Sequence, residues 1–348
     1  MRIIAAGILI VFLGAAGAEA GSLLWQTNSE GTAVHVFEVG TWELVKRIEV
    51  GPEPHGIAAP ANSPFVLVTL ESNGQPSGEL VWVDTESFEI AERLRVGREP
   101  HALAISTDGR WAYVPCRDGH YWVVDVPKRR VATKVWTGGR PHNTTPSPDG
   151  RFMYLSPMGA PKQVSIADVG AGHRIVGEIP FRDSVRPPAL SADGQWLFHH
   201  VDGLNGFQVA DVKRREIMAT VEHSQSLGWF LLWPPRLGWI AADGLKRCHG
   251  LAIRPDQKEI WSVCGAGVNV HRLEAPGFPE VVRVPLEDDA YWLTFSPDSR
   301  YAFAPVRDRS EVAVIDAKTK RIVTYLETGP APKRNLVIPD RRVEPLQP

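Results

Sequence analysis

The sequence predicts an all-β chain: one seven-bladed β-propeller, closed by pairing of the C-terminal strand with the first blade. Three observations predict it. A unit of about 42 residues recurs along the chain, each copy alternating apolar and polar residues around an Asp-centred turn. Each copy holds four strand-length stretches. The final apolar stretch has the spacing of an opening strand, yet nothing follows it to complete a unit.

The copies open with PHGIAAPANSPFVLVTLE at Pro54, PHALAISTDGRWAYVP at Pro100 and PHNTTPSPDGRFMYLS at Pro141. They continue with RPPALSADGQWLFHHV at Arg186, HGLAIRPDQKEIWSVC at His249 and YWLTFSPDSRYAFAPV at Tyr291. Where the turn Asp is present, it lies seven residues after the first position of the inner strand. A third apolar stretch ends on an acid, at Asp84, Asp125, Asp211 and Asp316, and a more polar fourth closes on Val-Gly or Thr-Gly. A single four-stranded blade cannot bury both its faces, so the blades must stack in a ring. Before Pro54, LLWQTNSEGTAVHVFEVGTWELVKRIEVG supplies only three strands. PKRNLVIPD supplies the missing one, with Asp340 seven residues after Lys333. The last strand therefore completes the first blade.

The N-terminus, MRIIAAGILIVFLGAAGAEAGS, has a cation at Arg2, a short apolar run and a small-residue Ala18-Glu19-Ala20 site. It reads as a secretory signal peptide over residues 1–20, followed by the propeller at 21–340 and a tail at 341–348. No later stretch reaches the roughly 20 apolar residues of a membrane helix. The expected product is a periplasmic or secreted monomer. Its formal charge of −2 gives no broad cationic field, which argues against nucleic acid as a partner.

These residues resemble the YVTN family of β-propeller repeats, and the match runs from Leu23 to Asp340. Similar repeats occur in cytochrome d1 propellers and lactonase-like enzymes. The resemblance implies fold more than function.

In such a propeller the first strand of each blade lines the central channel. The position seven before the turn residue then forms a ring at one mouth: His55, His101, His142, Arg186, His249, Tyr291 and Lys333. The plainest reading of the Pro-His pairs is a repeat feature, the imidazole bonding a neighbouring loop. Two functional readings compete with it. One is a site for a small anionic ligand, drawn by Arg98, Arg140, Arg186, Lys246, Arg247, Lys333 and Arg334 against Glu53, Glu99, Asp288 and Asp289. The resemblance to d1-type propellers implies a polycarboxylate tetrapyrrole as that ligand, with a His on its metal. The other is a metal ion held by His55, His101, His142 and His249, since neutral imidazoles suit zinc, iron or copper.

No GxSxG elbow, HExxH, Walker loop or dinucleotide fingerprint is present, so catalysis is not indicated. Cys248 and Cys264 flank one hairpin and face each other across it; free thiols are preferred over a strained cross-strand bridge. Cys116 reads as a small buried residue. His199 and His200 alternate, one facing inward and one outward, in packing roles. The interval from Arg186 to His249 carries an insertion, QSLGWFLLWPPRLGW, whose Trp229 and Trp233 read as part of an elongated hairpin or a flap over the mouth. The expected role is an exported module that binds a ligand or another exported protein through the mouth and this flap. The alternative is a metal- or tetrapyrrole-dependent enzyme or biosynthetic factor using the histidine ring.

Overall fold

The computed structural model describes residues 21–61, 63–224 and 248–342; the leader at 1–20, the insertion with Trp229 and Trp233, and Lys246 and Arg247 lie outside them. Within that range there are seven four-stranded antiparallel sheets and one 3-10 turn at Arg307–Arg309. No helix among the described residues is long and apolar enough to cross a membrane. The ring closes as expected. Strand Pro332–Pro339 pairs with Ser22–Asn28, aligning Leu336 with Trp25 and Val337 with Leu24.

The repeat's turn chemistry explains why each blade begins alike. Ser106, Ser147, Ser191 and Ser296 each donate a hydroxyl to the Asp two residues on, and accept the backbone N–H that starts the second strand. Such local side-chain bonds favour turns over continued strand. Alternation then sends successive residues to opposite sheet faces, and both faces are covered by neighbouring blades.

The core therefore lies between blades. Trp25, Trp82 and Trp261 are wholly buried in separate interfaces. At the closing seam, Leu24, Phe37 and Val337 of the first blade pack on Phe303, Val312 and Val314 of the seventh. Trp42 stands edge-on to Tyr301 at 4.9 Å there. Both flanks of a blade being interior also changes the reading of His199 and His200. Neither faces outward: both are fully buried, His199 toward Ser156 and Phe181 of the fourth blade and His200 toward Ser262 of the sixth.

Cys248 and Cys264 are directly opposed across their hairpin and joined in a disulfide, where the sequence reading preferred free thiols. The bulge after Cys248 brings this pair into register. Cys116 is free and buried.

Candidate functional site: a closed ring of histidines at the channel mouth

All seven inner strands deliver their opening residues to one end of the axis. Glycines make the close approach possible. A Cβ on Gly56 would meet the His101 carbonyl at 2.5 Å, and one on Gly250 would meet Trp292 backbone at 2.7 Å. Hydroxyls then tie each blade to the next. Thr27 donates to the His55 carbonyl at 2.8 Å, Thr69 to the His101 carbonyl at 2.6 Å, and the Tyr121 phenol to the Asn143 carbonyl at 3.1 Å.

The aromatic members close on themselves. Ring centroids are 3.8 Å apart for His55–His101, 4.3 Å for His101–His142 and 5.7 Å for His142–His249. The circuit continues at 3.9 Å for His249–Tyr291 and 6.5 Å for Tyr291–His55. The four imidazoles are buried. Lys333 caps the circuit, its Nζ 3.6 Å from the centre of the Tyr291 ring. Arg186 reaches the same end but turns aside, making a two-pronged contact with Asp202. Arg98 and Arg140 lie on the exposed rim, Arg98 donating to the Arg117 carbonyl.

Three further residues complete the site. Glu71 stands between two imidazoles, Oε1 2.5 Å from His101 Nδ1 and Oε2 3.1 Å from His55 Nδ1. Arg334 is buried, lies 3.9 Å over the Trp292 ring and donates to Asn143 Oδ1 at 2.7 Å. Asn143 in turn contacts His142 Nδ1. Glu71 had a signal in the sequence. It lies nine residues after the turn position, where the other copies hold Arg117, Met158, Asp202, Gly265 and Arg307. Counting that second position around the chain finds Glu71, and also finds Asp202, the partner that draws Arg186 away.

Burial keeps the imidazoles neutral. It pushes His55 down to about 3 and holds His101, His142 and His249 below the usual histidine range. Burial alone would raise the Glu71 carboxyl, but its two imidazole neighbours outweigh that and hold it ionised. Lys333 is lowered by burial to about 8, and Arg334 to about 10. One carboxylate thus faces two cations, and the mouth favours an anionic group.

Coordination capacity is concentrated on one side. The ligand atoms of His55, Glu71 and His101 lie within 4.8 Å of one another. Because His101 Nδ1–H bonds Glu71, its lone pair is on Nε2, and the Nε2 atoms of His101 and His55 are both buried without a partner. His142 stacks on His101 and His249 meets His142 edge-on, both outside that three-residue group.

Comparison with known proteins agrees with this architecture. A family model described as Cytochrome D1 heme domain matches residues 61–186, a stretch holding Glu71, His101 and His142 and ending on Arg186. In fold, the chain is a β-propeller, similar over that stretch to the Cytochrome D1 heme domain model. Among solved structures, it is similar to the Pseudomonas aeruginosa periplasmic gluconolactonase PpgL, at 16% identity and TM-score 0.73, covering 92% of this chain and 99% of that one. It is similar also to Kuenenia stuttgartiensis hydrazine synthase, at 17% identity and TM-score 0.66, covering 83% and 96%. A third similar structure, dihydro-heme d1 dehydrogenase NirN in complex with DHE, matches at 15% identity and TM-score 0.63, covering 92% and 76%. No curated protein sequence matches the chain.

Proposed function

We propose that this protein is an exported binding module that holds a transition-metal centre at the channel mouth, with His101 and His55 as ligands and Glu71 supporting them. One observation carries the reading: Glu71 bonds His101 at Nδ1 and lies 3.1 Å from His55 Nδ1, while the Nε2 atoms of both buried imidazoles have no hydrogen-bond partner. An unsatisfied buried polar atom is costly, and a metal ligand satisfies it. A carboxylate on the far nitrogen is the usual companion of a metal-bound histidine, fixing its tautomer and raising its basicity. Bound there, the centre would supply Lewis acidity or one-electron chemistry. The chain's own part is to hold neutral imidazoles in a set tautomer, set the Glu71 charge against the cation and leave Arg334 and Lys333 to meet an anionic co-ligand of the centre.

An iron tetrapyrrole is the second reading. The d1-type family match over Glu71, His101 and His142 favours it, as do the cations placed for its carboxylates. Burial of both Nε2 atoms favours a bare ion, because a macrocycle must lie across the mouth and needs an imidazole turned outward. The test is elemental analysis and a visible spectrum on protein made with its own leader and purified from the periplasm. Stoichiometric metal without tetrapyrrole bands, lost in His101→Ala with the fold intact by circular dichroism, supports the ion. Metal with those bands supports the tetrapyrrole. Neither, in folded protein challenged with zinc, copper and iron, overturns both and leaves a module for small anions or an exported partner.

A further inference from the structure

A second cluster of buried histidines lies between the fifth and sixth blades. It contains His200, His223 and His271, with Ser262 and the Cys248–Cys264 disulfide. Its protons can be assigned from one end. The Phe278 carbonyl can only accept, so His271 donates from Nδ1 at 2.8 Å and carries its lone pair on Nε2. His223 therefore donates its own Nδ1–H to His271 Nε2 at 3.0 Å, leaving His223 Nε2 as an acceptor. The single Ser262 hydroxyl proton goes to that nitrogen at 2.8 Å. The Ser262 oxygen then accepts the Nε2–H of His200, also at 2.8 Å. The chain ends on His200 Nδ1, a lone pair in a fully buried side chain with no partner.

The two cysteine sulfurs lie beside these imidazoles. Ligand atoms of His200, His223, Cys248 and Cys264 are all within 4.8 Å of one another, and all four residues are buried. Two imidazoles and two sulfurs are the donor set of tetrahedral zinc sites. As a disulfide, the sulfurs cannot act as thiolates. We infer that Cys248, Cys264, His200 and His223 form a redox-masked site for a zinc-class cation, opened when a dithiol reductant cleaves the disulfide. The chemistry balances. The dithiol gives two electrons and two protons to Cys248–Cys264 and leaves as its own disulfide. The cation then displaces both thiol protons to solvent and takes the lone pair of His200 Nδ1; the Ser262 hydroxyl turns its proton from His223 Nε2 to the Cys264 sulfur, freeing the His223 lone pair as the second nitrogen ligand. His271 acts behind His223 as the positioning residue that fixes its tautomer.

The site shares no ligand with the ring, so it can be tested with the ring disabled. Full-length protein carrying His101→Ala is reduced with a phosphine, freed of reductant without oxygen and titrated with cobalt(II). The expected result is the intense visible band of tetrahedral cobalt and a near-ultraviolet sulfur-to-cobalt band, saturating at one equivalent. Both are absent before reduction and lost in Cys248→Ser/Cys264→Ser. Metal should also shield two thiols from alkylation, and His271→Phe should weaken binding without removing the sulfur-to-cobalt band. Reduced, folded protein without that band overturns the inference, as does equal alkylation with and without metal. Collapse of the near-ultraviolet circular dichroism on reduction overturns it too, since the site requires an intact blade interface.

Discussion

His199 gives a clean handle on how the buried imidazoles respond to acid. Its Nδ1–H donates to the Arg186 carbonyl at 2.8 Å, and its Nε2 accepts from Ser156 at 3.3 Å. Burial pushes it down to about 3 from the ordinary 6.5. The folded state therefore binds fewer protons than the unfolded state between those limits. Stability is fully present above pH 6.5 and falls as the pH drops toward 3. At about 1.4 kcal/mol per pH unit for one proton, acidifying from pH 6.5 to 5 costs about 2 kcal/mol through this side chain alone. His223 has the same lowered value, chiefly from burial, and adds about the same loss. Native domains are stable by roughly 5–15 kcal/mol, so these two groups can remove a sizeable part of the margin. His199→Asn keeps a donor for the Arg186 carbonyl and cannot titrate. Urea unfolding followed by tryptophan fluorescence at pH 7 and pH 5 should show the wild type losing about 2 kcal/mol more than the variant. Equal losses in the two proteins would refute the argument, because His199 would then not be a neutral buried group.

Other outcomes follow from the same contacts. Glu71→Gln should weaken metal binding about 10–100-fold while leaving the blades assembled, as read by competition with a metallochromic indicator. Gly56→Ala places a methyl against the His101 carbonyl and Thr69 hydroxyl; it should cost about 1–3 kcal/mol in urea unfolding and lower metal affinity by displacing His101. Ending the chain at Thr328 strips the strand that covers Ser22–Asn28. The exposed edge should turn the protein to oligomers on size-exclusion chromatography, whereas ending it at Asp340 should leave the elution unchanged.

Much of this was legible in the sequence because the repeat counts from a fixed point. The distance of seven from inner strand to turn Asp gave each ring position its number, and the same count at Lys333 and Asp340 gave the closure. The opposed pairing of Cys248 with Cys264 was legible too, since it follows from a single hairpin. Their bonding was not, because it depends on whether the bulge brings the two sulfurs together. Arg186 sits at a ring position by count, yet Asp202 holds it aside, and only contacts across the hairpin reveal the competition. Glu71 escaped because the count was applied to one position per blade. His223 and His271 escaped for a deeper reason. They come from different blades, and their pairing exists only at the interface between them.

The two histidine clusters differ in how completely their lone pairs are spent, and that difference sets what each can bind. Between the fifth and sixth blades, the Phe278 carbonyl orients a chain of donors that uses every ring nitrogen except His200 Nδ1. Two more donors there are locked in a sulfur–sulfur bond. At the mouth no carbonyl orders the inner pair. Glu71 bonds His101 Nδ1 and lies beside His55 Nδ1, and the Nε2 atoms of both rings are left over. A repeat feature needs only packing and one bond per imidazole, and His249 shows that case, its Nδ1 resting on the Tyr291 carbonyl. His55 and His101 carry a buried carboxylate in addition, which is expensive to desolvate and gains nothing for packing. A charge placed at that cost beside two open nitrogens is what supports the proposal that the metal is held by blades two and three.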